Sequence, residues 1–139
     1  MGPKLIKIAS LYFVIGVFFG MFMSITHKME YASVHAHINL VGWVSLALAG
    51  LVYSVYQQAA ETKLANIHFW LHNIGLPLMM IGLVLLISGV PNTEPVIAVG
   101  GTLTAIGVLL FVINIFRTVK APSISNNPTL SKENKTTST

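Results

Sequence analysis

His35-Ala36-His37 lies inside the apolar run YASVHAHINLVGWVSLALAGLVY. Imidazole is costly in hydrocarbon, and an intramembrane histidine usually has a ligand, proton or hydrogen-bonding task. Successive helical residues turn by about 100°, so these two rings point to nearly opposite sides of one helix. One ion cannot easily be chelated by both. Two separate sites, each using one ring, can form. Imidazole nitrogen is a natural axial ligand for haem iron, which makes His35 and His37 candidate iron ligands. Asn39 lies one turn beyond His35 and is placed to hold a ring nitrogen from behind. The other reading is a pair of buried histidines bonded to backbone and neighbouring helices.

His68 and His72, in the run HFWLH, are spaced i,i+4 on one helix face. That is the spacing of a divalent-metal pair, although no Glu stands between them as in HExxH. The competing reading is an interfacial pair beside an aromatic belt of Phe69 and Trp70. With His72 near the inner end of its helix, it and His37 should differ by roughly 15–20 Å in depth. His72 is thus a secondary candidate ligand. So is His27, in the outer loop HKMEY, which otherwise reads as a solvated residue. Met21, Met23, Met79 and Met80 read as core fillers or lipid-facing side chains.

The elements that must position these residues are membrane helices. Of 139 residues, 54% are hydrophobic and only 9% charged, against about a quarter charged in a soluble domain. The mean hydropathy is +0.75. The chain has no cysteine, which excludes disulfides, Fe–S clusters, thiolate metal sites and covalent c-type haem. There is no Ser/His/Asp set, phosphate loop or paired intramembrane carboxylate, so hydrolytic and carboxylate-driven pumping chemistry fit poorly. A formal charge of +4 does not suggest nucleic acid, because the basic residues sit at the ends of apolar segments and in the tail.

Four apolar segments are long enough to span a bilayer: about 5–26, 33–56, 67–90 and 95–116. Short connections make sequence neighbours antiparallel neighbours. The expected fold is all-α, an integral membrane four-helix unit running up-down-up-down over residues 1–120. A polar tail, 121–139, is expected to be disordered. The first segment follows Lys4 and Lys7 but lacks a small-residue cleavage site, so it reads as a retained helix. With both termini inside, Lys4, Lys7, Lys63, Arg117 and Lys120 lie on the inner side and only Lys28 on the outer. Both termini are therefore expected in the cytoplasm, across a bacterial inner membrane. Gly16 and Gly20 form a GxxxG match, which reads as close helix packing or room for a flat ligand.

The runs VHAHINLVGWVSLALAGLVY and ANIHFWLHNIGLPLMMIGLVLLISGVP together resemble part of subunit I of the haem-copper oxidases. The resemblance covers about 60 residues, in the third of that subunit's three four-helix units. It rests on His35-Ala36-His37, Ile67-His68-Phe69, Gly75 and Gly89-Val90-Pro91. In that family the first histidine of HxH holds the high-spin haem and the second holds the low-spin haem. By resemblance these roles fall to His35 and His37. Since this chain supplies one four-helix arc of a twelve-helix ring, the resemblance implies a threefold homotrimer. Haem b would then lie at each protomer interface, between His35 of one copy and His37 of the next.

Two departures narrow this. MMIGLVLLISG carries no histidine where the family's copper site has an adjacent pair, so oxygen reduction at a binuclear centre is not implied. Asn92-Thr93-Glu94 replaces the arginines that pair with haem propionates, leaving Lys28, Asn92, Thr93 or solvent for that task. The expectation is a b-type haem protein in electron transfer or diatomic gas (oxygen or nitric oxide) chemistry, an oxidoreductase if it turns over. Its partners would be lipid, other copies and a respiratory-chain electron donor. The alternatives are a histidine-bound copper site and a cofactor-free accessory subunit of a respiratory complex.

Overall fold

The computed structural model describes residues 1–119. The expected disordered tail lies outside the described residues. Among those described there is no strand. Four helices are long and apolar enough to cross a membrane: α1 (Gly2–Thr26), α2 (Met29–Val55), α3 (Lys63–Ile87) and α4 (Glu94–Thr118). A single turn, Gln57–Ala60, bridges α2 and α3. At 1.5 Å per residue each helix exceeds the ~30 Å hydrocarbon thickness by a turn or more.

That excess explains why α2 and α3 both begin four residues before their expected starts. Hydropathy marks where apolar residues begin, whereas the helix runs on through the polar interface. Thr62 starts α3 as its N-cap, its hydroxyl accepting from the Ala65 amide at 3.0 Å. α1 stops at His27, which adopts the left-handed conformation (φ 55°) and returns its N–H to the Met23 carbonyl. Between α3 and α4 the chain reverses through Gly89 (φ 82°) and Asn92 (φ 59°).

The helices alternate in direction, as expected. Gly2 meets Ser54 and Gly20 meets His35 between α1 and α2. Tyr31 bonds to Ser88, and Tyr53 to His68, between α2 and α3. Gly82 meets Ile97, and Gly75 meets Thr104, between α3 and α4. The α3–α4 hairpin is the closest packed because glycines line it. A Cβ on Gly75 would lie 2.7 Å from the Gly100 carbonyl oxygen. The α1–α2 pair is next, and α2–α3 is looser.

Two apolar clusters fill the interior. Leu5, Ala9, Leu46, Ala49, Tyr53, Ala59 and Ala65 form one, and Val34, Ile38, Leu76 and Met80 the other. The opposite faces are apolar and uncovered. Leu11, Phe18 and Ile25, seven residues apart on α1, are 61%, 65% and 74% exposed. With lipid as solvent, such faces carry no hydrophobic penalty.

α2 is not uniformly wound. Ile38–Ser45 forms a π-helical stretch, directly after the HxH motif. Such widened turns shift carbonyls away from their usual donors and often mark functional positions. Two of these carbonyls accept from side chains. Ser45 donates its hydroxyl to the Leu40 carbonyl at 2.8 Å, and His72 Nε2 donates to the Val41 carbonyl at 3.1 Å.

Candidate functional site

The HxH motif closes the first regular part of α2 just before the π stretch, and its rings diverge as the spacing predicts. His35 turns toward α1. A Cβ on Gly20 would lie 2.8 Å from His35 Cε1, so the missing side chain makes room for the imidazole. One turn further along, a Cβ on Gly16 would lie 2.5 Å from Asn39 Oδ1. The GxxxG of α1 therefore cradles two polar side chains of α2. Asn39 Nδ2 donates to the His35 carbonyl at 2.9 Å and lies 3.4 and 3.5 Å from the two ring nitrogens. Those longer distances exceed the usual N–H···N/O range, so the His35 ring is neighboured rather than committed.

His37 faces elsewhere, half-buried beside Ala36, Leu40 and Val41. Its Nδ1 lies 2.7 Å from the Ser33 carbonyl oxygen. A carbonyl only accepts, so Nδ1 carries the proton and Nε2 is the lone pair. Nε2 has no hydrogen-bond partner among the described residues. An imidazole held through one nitrogen by a backbone carbonyl, with the other presented, is the usual form of a metal-ligating histidine.

His27 is exposed at the end of α1, seven residues beyond Gly20, and hence about 10 Å above His35 along the helix. The structure does not bring it to the HxH. Among the described residues no group of three His, Cys, Asp or Glu side chains is placed to hold one metal ion. Met23 and Met80 are buried core residues and Met21 is exposed, as their types suggest.

His68 and His72 correct one expectation. They are not interfacial: each is 1% exposed, packed among α2, α3 and α4, while Trp70 alone of that run is well exposed. The His72 ring bonds the Val41 carbonyl, and the residue lies beside Ser45, Leu48 and Ala49, eight to twelve positions beyond His37 on α2, which is about 12–18 Å along the axis and near the expected difference in depth. α3 starts at Lys63, so position 72 falls well inside the membrane.

His68 belongs to a polar network that the sequence did not reveal, and His72 packs edge-on against its ring. Thr62 donates its hydroxyl to Asn114 Oδ1 at 2.9 Å. Asn114 Nδ2 donates to the Ala59 carbonyl at 2.8 Å and lies 3.5 Å from the Tyr53 hydroxyl. The Tyr53 hydroxyl and His68 Nδ1 are 3.3 Å apart. Asn114 is wholly buried on α4. A lone amide within the run GVLLFVINIF is the signal that could have pointed to this network, since intramembrane polar groups seek partners.

Fold and side chains together define a multi-pass α-helical membrane protein with two buried or half-buried histidine pairs. Comparison with known protein families, with curated proteins and with solved structures finds no match in any of the three.

Proposed function

We propose that this chain is a membrane b-type haem protein whose iron is held through His35 and His37. The observation carrying this reading is the state of His37. Its Nδ1 proton is tied to the Ser33 carbonyl, leaving Nε2 unpartnered on an apolar, half-buried surface. That donor suits haem iron, which takes neutral imidazole nitrogen. His35 also keeps uncommitted ring nitrogens, and Gly20 gives its ring space. Bound haem supplies one-electron transfer and, where an axial position stays open, binding of oxygen or nitric oxide.

Because the two rings diverge on one helix, the reading includes a threefold homotrimer. Each interface then offers His37 of one copy and His35 of the next to a single haem. The resemblance to the third four-helix unit of haem-copper oxidase subunit I supports the same arrangement. The cationic ends of α1 and α3, with Lys4, Lys7 and Lys63, share a side with Arg117, which favours a bacterial inner membrane with both termini cytoplasmic. The electron donor is then a respiratory-chain component.

The test is an absorption spectrum of the dithionite-reduced protein in detergent, with its mass in the same detergent. Soret and α bands at up to three haems per trimer are expected. Stoichiometric copper without a Soret band would replace haem by histidine-bound copper. A colourless, metal-free protein from haem-replete cells would leave the accessory-subunit reading.

A further inference from the structure

The buried positions of α2 recur every four residues from Val34 through Ile38, Gly42 and Leu46 to Gly50. The exposed positions Ala36, Leu40, Val44 and Leu48 keep the same step. A plain α-helix cannot hold such a row on one side. Four of its residues turn by about 400°, so the row would drift by roughly 160° between Val34 and Gly50. The π stretch Ile38–Ser45 absorbs that drift, because each of its wider turns takes more residues. It thereby sets which way the outer part of α2 faces. Wound as an α-helix above Leu46, α2 would swing Val34 and Ile38 out of the bundle and carry both HxH rings with them.

Three side chains bond to carbonyls in or beside this stretch. Asn39 donates to the His35 carbonyl at 2.9 Å, and Ser45 to the Leu40 carbonyl at 2.8 Å. Both belong to α2 and would turn with it. His72 stands on α3. Its Nε2 donates at 3.1 Å to the Val41 carbonyl, inside the stretch and four residues beyond His37. A carbonyl only accepts, so the proton's place on Nε2 is fixed. The amide that a π turn would pair with Val41 is that of Leu46, and it bonds to the Trp43 carbonyl instead. The anchor is firm, since Gly107 brings α4 against α3 here: a Cβ on it would lie 3.2 Å from the His72 amide nitrogen. No hydrogen bond joins His72 to Tyr53, Asn114 or Thr62 among the described residues, so the tie runs through His72 alone.

We propose that His72 is a positioning residue: by holding the Val41 carbonyl from α3, it fixes the winding of α2 and so the directions in which His35 and His37 point. The inference rests on the haem reading only for what those rings are aimed at.

The chain has no cysteine, so introduced cysteines carry spin labels at chosen positions alone. Ala36→Cys with Val99→Cys reports the outer part of α2 against α4, and Leu51→Cys with Leu109→Cys the inner part. All four positions are exposed. The labelled full chain is diluted into unlabelled chain in detergent, so that distances within one copy are read. His72→Leu is expected to shift the outer distance by about 5 Å, half the ~10 Å diameter of a helix, and to leave the inner one in place. His72→Gln, whose amide nitrogen reaches as far as Nε2, should restore the outer distance. His72→Asn, one bond shorter, should not, and it carries the comparison if His72→Leu does not fold. In unlabelled, haem-loaded protein the haem bands should weaken in His72→Leu and His72→Asn and recover in His72→Gln. An outer distance that stays put without the His72 donor, inner and outer distances that move together, or no rescue by His72→Gln would each overturn the proposal. An outer distance that moves and is rescued in a protein holding no haem would uphold the positioning role and remove the haem reading instead.

Discussion

The two histidine pairs sit at different depths of the bundle and are built for opposite ends. His35 and His37 are two residues apart, so one helix sends them in contrary directions, and neither is fully enclosed. His68 and His72 are four apart, share one face and are sealed into contacts with Tyr53, Asn114 and Val41. Spacing decides direction, and direction decides partner. Rings that share a face turn inward together, and the bundle meets one nitrogen of each, Nδ1 of His68 and Nε2 of His72, while His72 Nδ1 stays buried and unpartnered. Rings that diverge cannot both be satisfied within so thin a unit, and at least one keeps a nitrogen free for something outside it.

The largest contrast expected is between pigment and stability. His37→Ala removes the unpartnered nitrogen but almost no packing, so it should abolish most haem absorbance, more than tenfold, while the unfolding midpoint in detergent barely moves. Asn114→Ala should do the reverse. It removes the amide that donates to the Ala59 carbonyl, accepts from the Thr62 hydroxyl and fills the space beside Tyr53. Hydrogen bonds between membrane helices average well under 2 kcal/mol apiece, so their joint loss should cost about 2 kcal/mol. Haem content per folded molecule should stay near the wild-type value. If Asn114→Ala lost haem as severely as His37→Ala, the division of labour between the pairs would be wrong.

Much of this was legible in the residues. Four long apolar runs specify four spans, because bilayer thickness sets helix length. The divergence of His35 and His37 follows from helix geometry alone. The buried network was not legible, because it joins residues 15 to 61 positions apart. Neither Tyr53 nor Asn114 stands out singly in the sequence as part of a network. Only the register of α2, α3 and α4 makes them neighbours. The burial of His68 and His72 was missed for a related reason: a helix start set by a threonine cap is invisible to hydropathy, so the pair read as lying at the interface. The π stretch carries no obvious mark either, although Asn39, Gly42 and Ser45 are an unusual concentration of non-aliphatic residues in mid-span.

Gly20→Ala probes the half-committed member of the outer pair. The new Cβ would lie 2.8 Å from His35 Cε1, and the ring must turn or α1 must shift. Overpacking of this kind costs about 1–2 kcal/mol. The expected signature is a shifted or weakened haem spectrum alongside that modest destabilisation. Gly101, whose Cβ would meet only Met79 Sδ at 3.3 Å, provides the control: Gly101→Ala should leave the spectrum unchanged. An unaltered spectrum in Gly20→Ala would remove His35 from the iron and leave His37 as the single ligand.

The smallest effect separates the pairs most cleanly. Thr62 caps α3 by accepting from the Ala65 amide, and its proton goes to Asn114 Oδ1 at 2.9 Å. Thr62→Ala loses both roles, yet Asn114 keeps its bond to the Ala59 carbonyl. The cost should therefore approach that of a cap alone, about 1 kcal/mol. Thr62→Ser, which retains the hydroxyl, should recover most of it. Since the threonine stands ten residues below His72 on α3, about 15 Å along the axis, neither variant should disturb the haem spectrum. A spectral change in Thr62→Ala that Thr62→Ser reverses would mean that the inner network sets the position of α2 at His37, and that the two pairs act as one device.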